Sequence, residues 1–239
     1  HVQGLQLLAR VLGGLNMGLY LVLWVLVLWR LVRYPKAVGR DLQDHLKSPG
    51  FFTMVAATCT LASQLLLQNG LVELAWGLLV LGTLLWLAFT YAVFGALTLK
   101  EHNPTLEHGL SGTWLLAVVA TQSIAVTGAL LSPQLEGTQR LGLEFFALSF
   151  WLVGGMMYIW LISLIFYRYT FLRLTPGELF PSYWINMGAM AISTLAGATL
   201  LLVSDSSGPF LSGLRPFVVG FTVLFWATGT WWIPMLIVL

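Results

Sequence analysis

Small and hydroxyl side chains recur at helical spacing in three apolar stretches of the chain. The stretches read Ala57-Thr-Cys-Thr60-Leu-Ala62, Ala120-Thr-Gln-Ser123-Ile-Ala125 and Ala191-Ile-Ser-Thr194-Leu-Ala196. Residues three or four positions apart share one face of a helix. This spacing groups three candidate faces: Thr53, Ala57, Thr60 and Gln64; Thr113, Ala120, Ser123 and Thr127; and Ala191, Thr194 and Ala198.

Faces of this kind could line a conduit for a small anion. They leave room for a partly hydrated ion, and they offer O–H and N–H donors without a fixed charge that would trap it. Small residues also let helices pack tightly, with each hydroxyl bonded to the backbone of its own helix. That second interpretation accounts well for any single residue, whereas three repeated faces, together with the family resemblance described below, favour a lined conduit.

The apolar stretches carry none of the arrangements typical of an enzyme. They contain no His-Glu-x-x-His motif, Ser/Lys dyad or paired carboxylates, and His45, His102 and His108 fall in connectors between them. No charged side chain lies near the centre of a stretch, which favours passive flow over proton or sodium coupling. We therefore expect no enzymatic activity, no cofactor and no metal site. A net charge of +2 is also too small to indicate a nucleic-acid partner.

Composition and charge distribution predict an all-α integral membrane protein. Hydrophobic residues make up 58% of the 239 residues, charged residues make up 8%, and the mean hydropathy is +0.87. Seven charge-free runs are each long enough to cross a bilayer once, and eight of the nine prolines mark the ends of runs, Pro216 among them, with only Pro234 well inside one. The runs are Val11–Trp29, Ser48–Val72, Leu74–Leu99, Gly109–Leu135, Phe145–Tyr167, Leu179–Ser204 and Pro216–Leu239.

The spans alternate between two characters within a single transmembrane domain, residues 1–239. The small, hydroxyl-bearing spans are predicted to be inner helices, and the spans rich in Leu, Trp and Phe to be outer helices that face lipid. The first outer span lacks a small partner before it, so the chain is predicted to be a fragment of a longer protein. The inner helices are placed at about 51–68, 110–131 and 184–203, and the outer helices at about 8–32, 74–99, 141–167 and 216–239.

Lysine and arginine predict the orientation in the membrane. The first, third and fifth connectors carry eight of these residues, and the opposite side carries three. The positive-inside rule therefore places those three connectors in the cytoplasm and predicts a multi-pass protein of the plasma or inner membrane. The eight are Arg30, Arg33, Lys36, Arg40, Lys47, Lys100, Arg168 and Arg173, and the three are Arg10, Arg140 and Arg215.

Two longer motifs resemble the tellurite-resistance/dicarboxylate transporter family, which also includes malate transporters, fungal sulfite exporters and plant slow anion channels. They are Gly112-Thr113-Trp114-Leu-Leu-Ala-Val-Val-Ala-Thr-Gln122-Ser123 and Pro181-Ser-Tyr-Trp184-Ile-Asn186-Met-Gly188-Ala-Met-Ala-Ile-Ser193. The resemblance implies ten helices in five hairpins around a central pore, of which this chain supplies helices two to eight. It also implies a homotrimer with one pore per subunit, and a gating phenylalanine on a ninth helix beyond Leu239.

Two functional interpretations follow. The first is a transporter or channel that passes small anions, either dicarboxylates, oxyanions or inorganic anions, with the lipid bilayer as its surroundings. The second is a seven-helix receptor, because seven spans with an outside start and an inside end also give receptor topology. A retinal protein needs a lysine in its last helix, and Pro216–Leu239 has none. The receptor interpretation also leaves the threefold internal repeat unexplained.

Overall fold

The computed structural model describes residues 2–102, 104–172, 181–204 and 209–238, and within these ranges the chain is helical with no β-strand. Seven helical segments are long and apolar enough to cross a membrane, which confirms the all-α membrane fold. The helices are α1 (Val2–Arg33), α2 (Pro35–Leu42), α3 (Phe52–Gln64), α4 (Val72–Thr98), α5 (Leu106–Gly109), α6 (Leu116–Leu131), α7 (Gly137–Phe171), α8 (Ile185–Ser204) and α9 (Pro209–Val238).

The spans differ strongly in how many of their residues are buried. Within the apolar stretch of each span, the share of buried residues is 83% for α6, 50% for α8 and 39% for α3, against 33%, 22%, 17% and 6% for α7, α9, α4 and α1. The order follows side-chain size, because small residues let helix backbones approach closely. The three spans rich in small residues are thus the most enclosed. Their arrangement around a pore stays a prediction.

Helix α6 lies at the centre of the packing because it contributes to both hydrophobic cores. One core joins α6 to α7, α8 and α9 around Trp151, Met190 and Trp232. The other joins α6 to α3 and α4 around Phe52 and Leu79. Helix α3 therefore packs against α4, helix α8 packs against α9, and both contact α6.

Each of these three helices starts with a 3₁₀ turn at the same end of the molecule. The turns are Ser48–Phe51, Gly112–Leu115 and Pro181–Trp184, and the second contacts both the first and the third. The connectors rich in lysine and arginine meet at this end, where Lys100 donates to the backbone oxygen of Gln43 across 3.0 Å. Arg173, counted with this group from the sequence, lies outside the described residues.

Helices α7 and α9 begin several residues before the charge-free runs predict. Helix α7 starts at Gly137, and α9 starts at Pro209, so Pro216 lies inside a helix and the expectation that it marks a boundary was wrong. Charged residues near the membrane surface do not end a helix when they find partners. Arg140 pairs with Glu144 one turn later at 2.8 Å. Membrane helices also tolerate proline, because neighbouring groups satisfy the backbone atoms that it frees.

Helix α3 ends differently from the other spans. Its last turn, Leu65–Asn69, is π-helical, and Gly70 then adopts a left-handed conformation with φ of 65°, which favours glycine. Helix α4 begins two residues later, so α3 and α4 form a tightly closed hairpin.

The predicted orientation can be tested with single cysteines at the two ends of the molecule. Lys36→Cys lies in the basic connector region and Gln139→Cys lies at the opposite end, and both native side chains are exposed. The chain's own Cys59 is buried and contributes little background. In intact cells an impermeant maleimide should label Gln139→Cys and should label Lys36→Cys only after permeabilisation. The reverse pattern would show that the topology is inverted.

Candidate functional site

The three residues that follow the first alanine of each stretch are called the first, second and third positions of the repeat. The first position contacts the outer helix that comes before it in the chain. Thr58 of α3 and Thr121 of α6 occupy equivalent positions, and each hydroxyl donates to the carbonyl four residues earlier. Each hydroxyl then accepts a second bond from an aromatic residue of an outer helix. Tyr20 of α1 lies 2.9 Å from the Thr58 hydroxyl, and the indole N–H of Trp86 in α4 lies 2.8 Å from that of Thr121. These two threonines fix helix contacts, and the sequence analysis missed them.

The second position of the repeat packs against the outer helix that follows. A Cβ atom at Gly82 of α4 would lie 2.7 Å from the sulfur of Cys59, and one at Gly154 of α7 would lie 2.6 Å from the side-chain nitrogen of Gln122. Gln122 also donates to the backbone oxygen of Trp151 across 3.1 Å. A side chain at either glycine would therefore force the side chain of Cys59 or Gln122 to move.

The third position of the repeat faces neither of these outer helices. Three consecutive residues of a helix point in three directions about 100° apart, and the first two directions are taken by neighbours. Thr60 is exposed and Thr194 is half-buried, whereas Ser123 on the central helix is only 3% exposed. These three hydroxyls occupy the same place in the three aligned stretches, and we refer to them as one column.

The three hydroxyls differ in what they can still donate. The Ser123 hydroxyl donates to the Ala120 oxygen and that of Thr194 to the Met190 oxygen, each across 2.8 Å. The Thr60 hydroxyl makes no hydrogen bond with any residue in the described part of the chain. Only Thr60 therefore keeps its proton free for a ligand, while the other two present lone pairs.

Other candidates lie on α3, on α8 and in the 3₁₀ turn that precedes α6. Thr53, Ala57 and Ala191 are exposed, and Thr113 and Ala198 are half-buried. The exposed side chains of α8 are not all small, because Leu195 and Leu202 are bulky and exposed. Trp184, in the turn just before this helix, is also exposed.

Three residues that the sequence assigned to the conduit form helix contacts instead. Gln64 donates to the Gly13 oxygen of α1 across 3.0 Å and accepts from Asn16 across 2.7 Å. Thr127 lies fully buried at the contact of α3 with α6, where its hydroxyl is 3.0 Å from the Cys59 oxygen, and Ala120 is also fully buried. Helical periodicity groups residues on one face but does not identify what that face meets. We leave these three residues out of the pathway proposed below.

The two long motifs meet at the basic end of the molecule. The 3₁₀ turn that contains Gly112 packs so closely on the one that contains Pro181 that a Cβ atom at Gly112 would lie 2.3 Å from the Ser182 oxygen. The buried guanidinium of Arg168 bridges the two turns, because it donates to the Leu110 oxygen and to the Tyr183 hydroxyl.

Three further motif side chains support these turns. The indole N–H of Trp114 donates to the Gly109 oxygen across 3.0 Å. The amide of Asn186 donates to the Tyr169 hydroxyl across 3.1 Å, and the Asn186 backbone oxygen accepts from Tyr158. Gly188 by contrast has open space where a side chain would start. Most of the motif thus shapes the ends of α6 and α8.

Gly112 and Gly188 give a matched test of this packing. Gly112→Ala should lower the free energy of unfolding by about 1–3 kcal/mol, because the new methyl group overlaps backbone atoms that cannot turn away. Gly188→Ala should not destabilise the protein, since alanine is the better helix former and nothing lies within 4 Å. Thermal unfolding of the two purified variants measures the difference. Equal stability would contradict the close contact.

Comparison with known proteins gives the family. The family model described as SLAC1, voltage-dependent anion channel, matches residues 1–239. Two uncharacterized transporters of Methanocaldococcus jannaschii are 27% and 26% identical over 92% of this chain, and the chain spans 61% of the length of each. An uncharacterized membrane protein of Mycobacterium tuberculosis is 42% identical over 34% of this chain and 40% of its own length. No solved structure gives a significant match. The chain is a multi-pass membrane protein that belongs to the SLAC1 family of voltage-dependent anion channels.

Proposed function

We propose that this chain forms the larger part of a pathway that carries small anions across the membrane between α3, α6 and α8. The observation that carries the proposal is the third position of the repeat. On α3 and α6 the first two positions are occupied by contacts with the outer helices, so Thr60 and Ser123 lie on the face that remains for a lumen. Thr194 joins this column through its equivalent place in the third stretch. Membership of an anion channel family supports transport over the receptor alternative.

The contrast in side-chain size supports this assignment. Residues on the open faces of the outer helices are bulky, as at Leu84 of α4 and Trp226 of α9, which are 58% and 60% exposed. The open face of α3 instead presents Thr53, Ala57 and Thr60. Large apolar side chains suit contact with lipid, whereas small and hydroxyl side chains leave the space that a partly hydrated ion needs.

Preference for anions would come from two sources. Thr60 can donate a hydrogen bond from its free hydroxyl, and the column itself carries no charge. The three inner helices also begin at the basic end, so the positive ends of their dipoles point there. Lysine and arginine in the connectors raise the local concentration of anions at the same end.

The proposal also covers the class of transported ion and the oligomeric state. A lining of this kind suits a dicarboxylate, an oxyanion or an inorganic anion, because a hydroxyl donates to the oxygens or the charge of any of them. We further propose a homotrimer in the plasma or inner membrane, as the family resemblance implies. No nucleic acid or enzymatic step enters this function.

Substitution by phenylalanine should block the pathway at Thr60 and at Thr194. A ring added to a narrow lumen fills the space that the anion needs, so flux per folded molecule should fall to a small fraction of the wild-type value. Leu84→Phe on the open face of α4 is the matched control and should conduct normally. Anion flux into liposomes, normalised to folded protein, measures the effect. Ser123 is too enclosed for this test, because a ring there would over-pack α6.

Normal flux per folded molecule in both threonine variants would remove the column from the pathway. If the substitutions act only on packing, the protein is lost from the membrane while the surviving molecules conduct as wild type. Normalisation to folded protein separates these two outcomes.

Substitution by alanine should have different effects on selectivity at the two threonines. Thr60→Ala removes a donor that has no other partner, and selectivity among anions should change by up to about tenfold, the worth of one hydrogen bond. Thr194→Ala should change selectivity little, because its proton already goes to the Met190 oxygen. Competition between anions in the flux assay gives the selectivity. Equal effects of the two substitutions would contradict the assignment of donors.

A further inference from the structure

A cleft of about 560 Å³ opens between the first and third connectors at the basic end. Its lining includes Arg40, Asp44 and His45 from the first connector and Lys100, His102 and His108 from the third. None of these side chains belongs to the proposed lumen or to the long motifs. The cleft gathers three of the chain's four histidines.

The cleft has an excess of uncompensated positive charge. Neither Arg40 nor Lys100 forms an ion pair with any residue that the structure describes. The one lining carboxylate, Asp44, lies 3.7 Å from the ammonium of Lys47 and accepts a hydrogen bond from the Leu46 amide. Lys100 is anchored by its bond to the Gln43 oxygen and keeps two further donors for a ligand.

The histidine side chains add N–H groups that no residue in the described part of the chain uses. The imidazole side chains of His102 and His108 make no hydrogen bond within the described residues, and both line the cleft and are exposed. The Nδ1 atom of His45 is enclosed and has no partner there. Burial lowers the pKa of His45, nearby Lys100 lowers it further, and Asp44 acts in the opposite direction. His45 is therefore held neutral at a place where a bound negative charge would favour its protonation.

We propose that this cleft binds a tetrahedral oxyanion, a sulfate or phosphate group, which comes either from a free anion or from a lipid headgroup. Two cationic side chains and imidazole donors around an open cleft provide charge and several N–H groups for the oxygens of such a group. A metal ion fits less well, because within the described ranges no three His, Cys, Asp or Glu side chains are arranged to hold one.

The cleft lies beside the residues that precede the central helix, α6. The His45 ring lies 6.3 Å from the Trp114 ring, and its Cδ2 atom lies 3.6 Å from where a side chain of Gly109 would start. Trp114 belongs to the turn from which α6 begins. An anion bound in the cleft would therefore stabilise the connectors against the entrance of the proposed pathway.

Binding should strengthen as the pH falls, because protonated histidines add positive charge to the cleft. The other charged groups of the cleft are Arg40, Asp44 and Lys100. Sulfate stays doubly charged over the range in which an imidazole titrates, so any change in its affinity reports on the protein.

The experiment is calorimetric titration of the whole protein in detergent with sulfate, at about pH 6 and about pH 8. Wild type should bind saturably and several times more tightly at the lower pH. Lys100→Gln should weaken binding by about tenfold or more, since a charged hydrogen bond is lost. The double variant His102→Gln/His108→Gln should lose most of the pH dependence. Lys36→Gln is a matched control outside the cleft and should bind as wild type.

A membrane arm distinguishes the two sources of the group. In nanodiscs that contain phosphatidylglycerol, a weaker apparent sulfate affinity than in nanodiscs given the same negative charge by a fatty acid identifies a lipid headgroup as the occupant, and equal affinity identifies a free anion, because both membranes repel sulfate equally. Absence of saturable binding at both pH values, or unchanged binding by Lys100→Gln, would overturn the proposal. Because the titration does not measure flux, its failure leaves the proposed pathway untouched.

Discussion

Polar groups inside the hydrocarbon layer must find partners within the protein, because no water is there to replace them. The inner helices meet this requirement by pairing with the outer helices. Trp86 donates to Thr121, Tyr20 pairs with Thr58, and Gln122 donates to the Trp151 oxygen. Each bond is directional, so it sets how its inner helix is rotated about its axis. The remaining features of the fold follow from these rotations.

The rotation of each helix about its axis determines which of its side chains remain free of contacts with neighbouring helices. Once α6 is fixed against α4 and α7, its polar side chains are committed to contacts, and Ser123 retains only slight exposure. Helix α3 has fewer neighbours and leaves Thr60 open. The repeat thus serves two purposes at adjacent positions. Two of its columns stabilise the bundle, and the third is available to line the proposed pathway.

Sequence alone predicted the class, the seven spans and the family, because each depends on composition or on an extended motif. It failed where the outcome depends on a partner. Pro216 lies inside α9 even though charge patterning predicts a boundary there. Gln64 and Thr127 share a helical face with Thr60 or Ser123, yet they contact α1 and α3. Periodicity identifies a face of a helix, and only the neighbouring helices determine whether that face is occupied.

The contact of Gly112 with Ser182 imposes an order on biosynthesis. The turn before α6 is synthesised well before the turn that it packs against, and α7 must enter the membrane between them. During this interval Gln122 has no Trp151 oxygen to bond and stands unpaired in lipid or in the insertion machinery. The most enclosed helix of the finished protein therefore reaches its final surroundings only after α7 and α8 have followed it into the membrane.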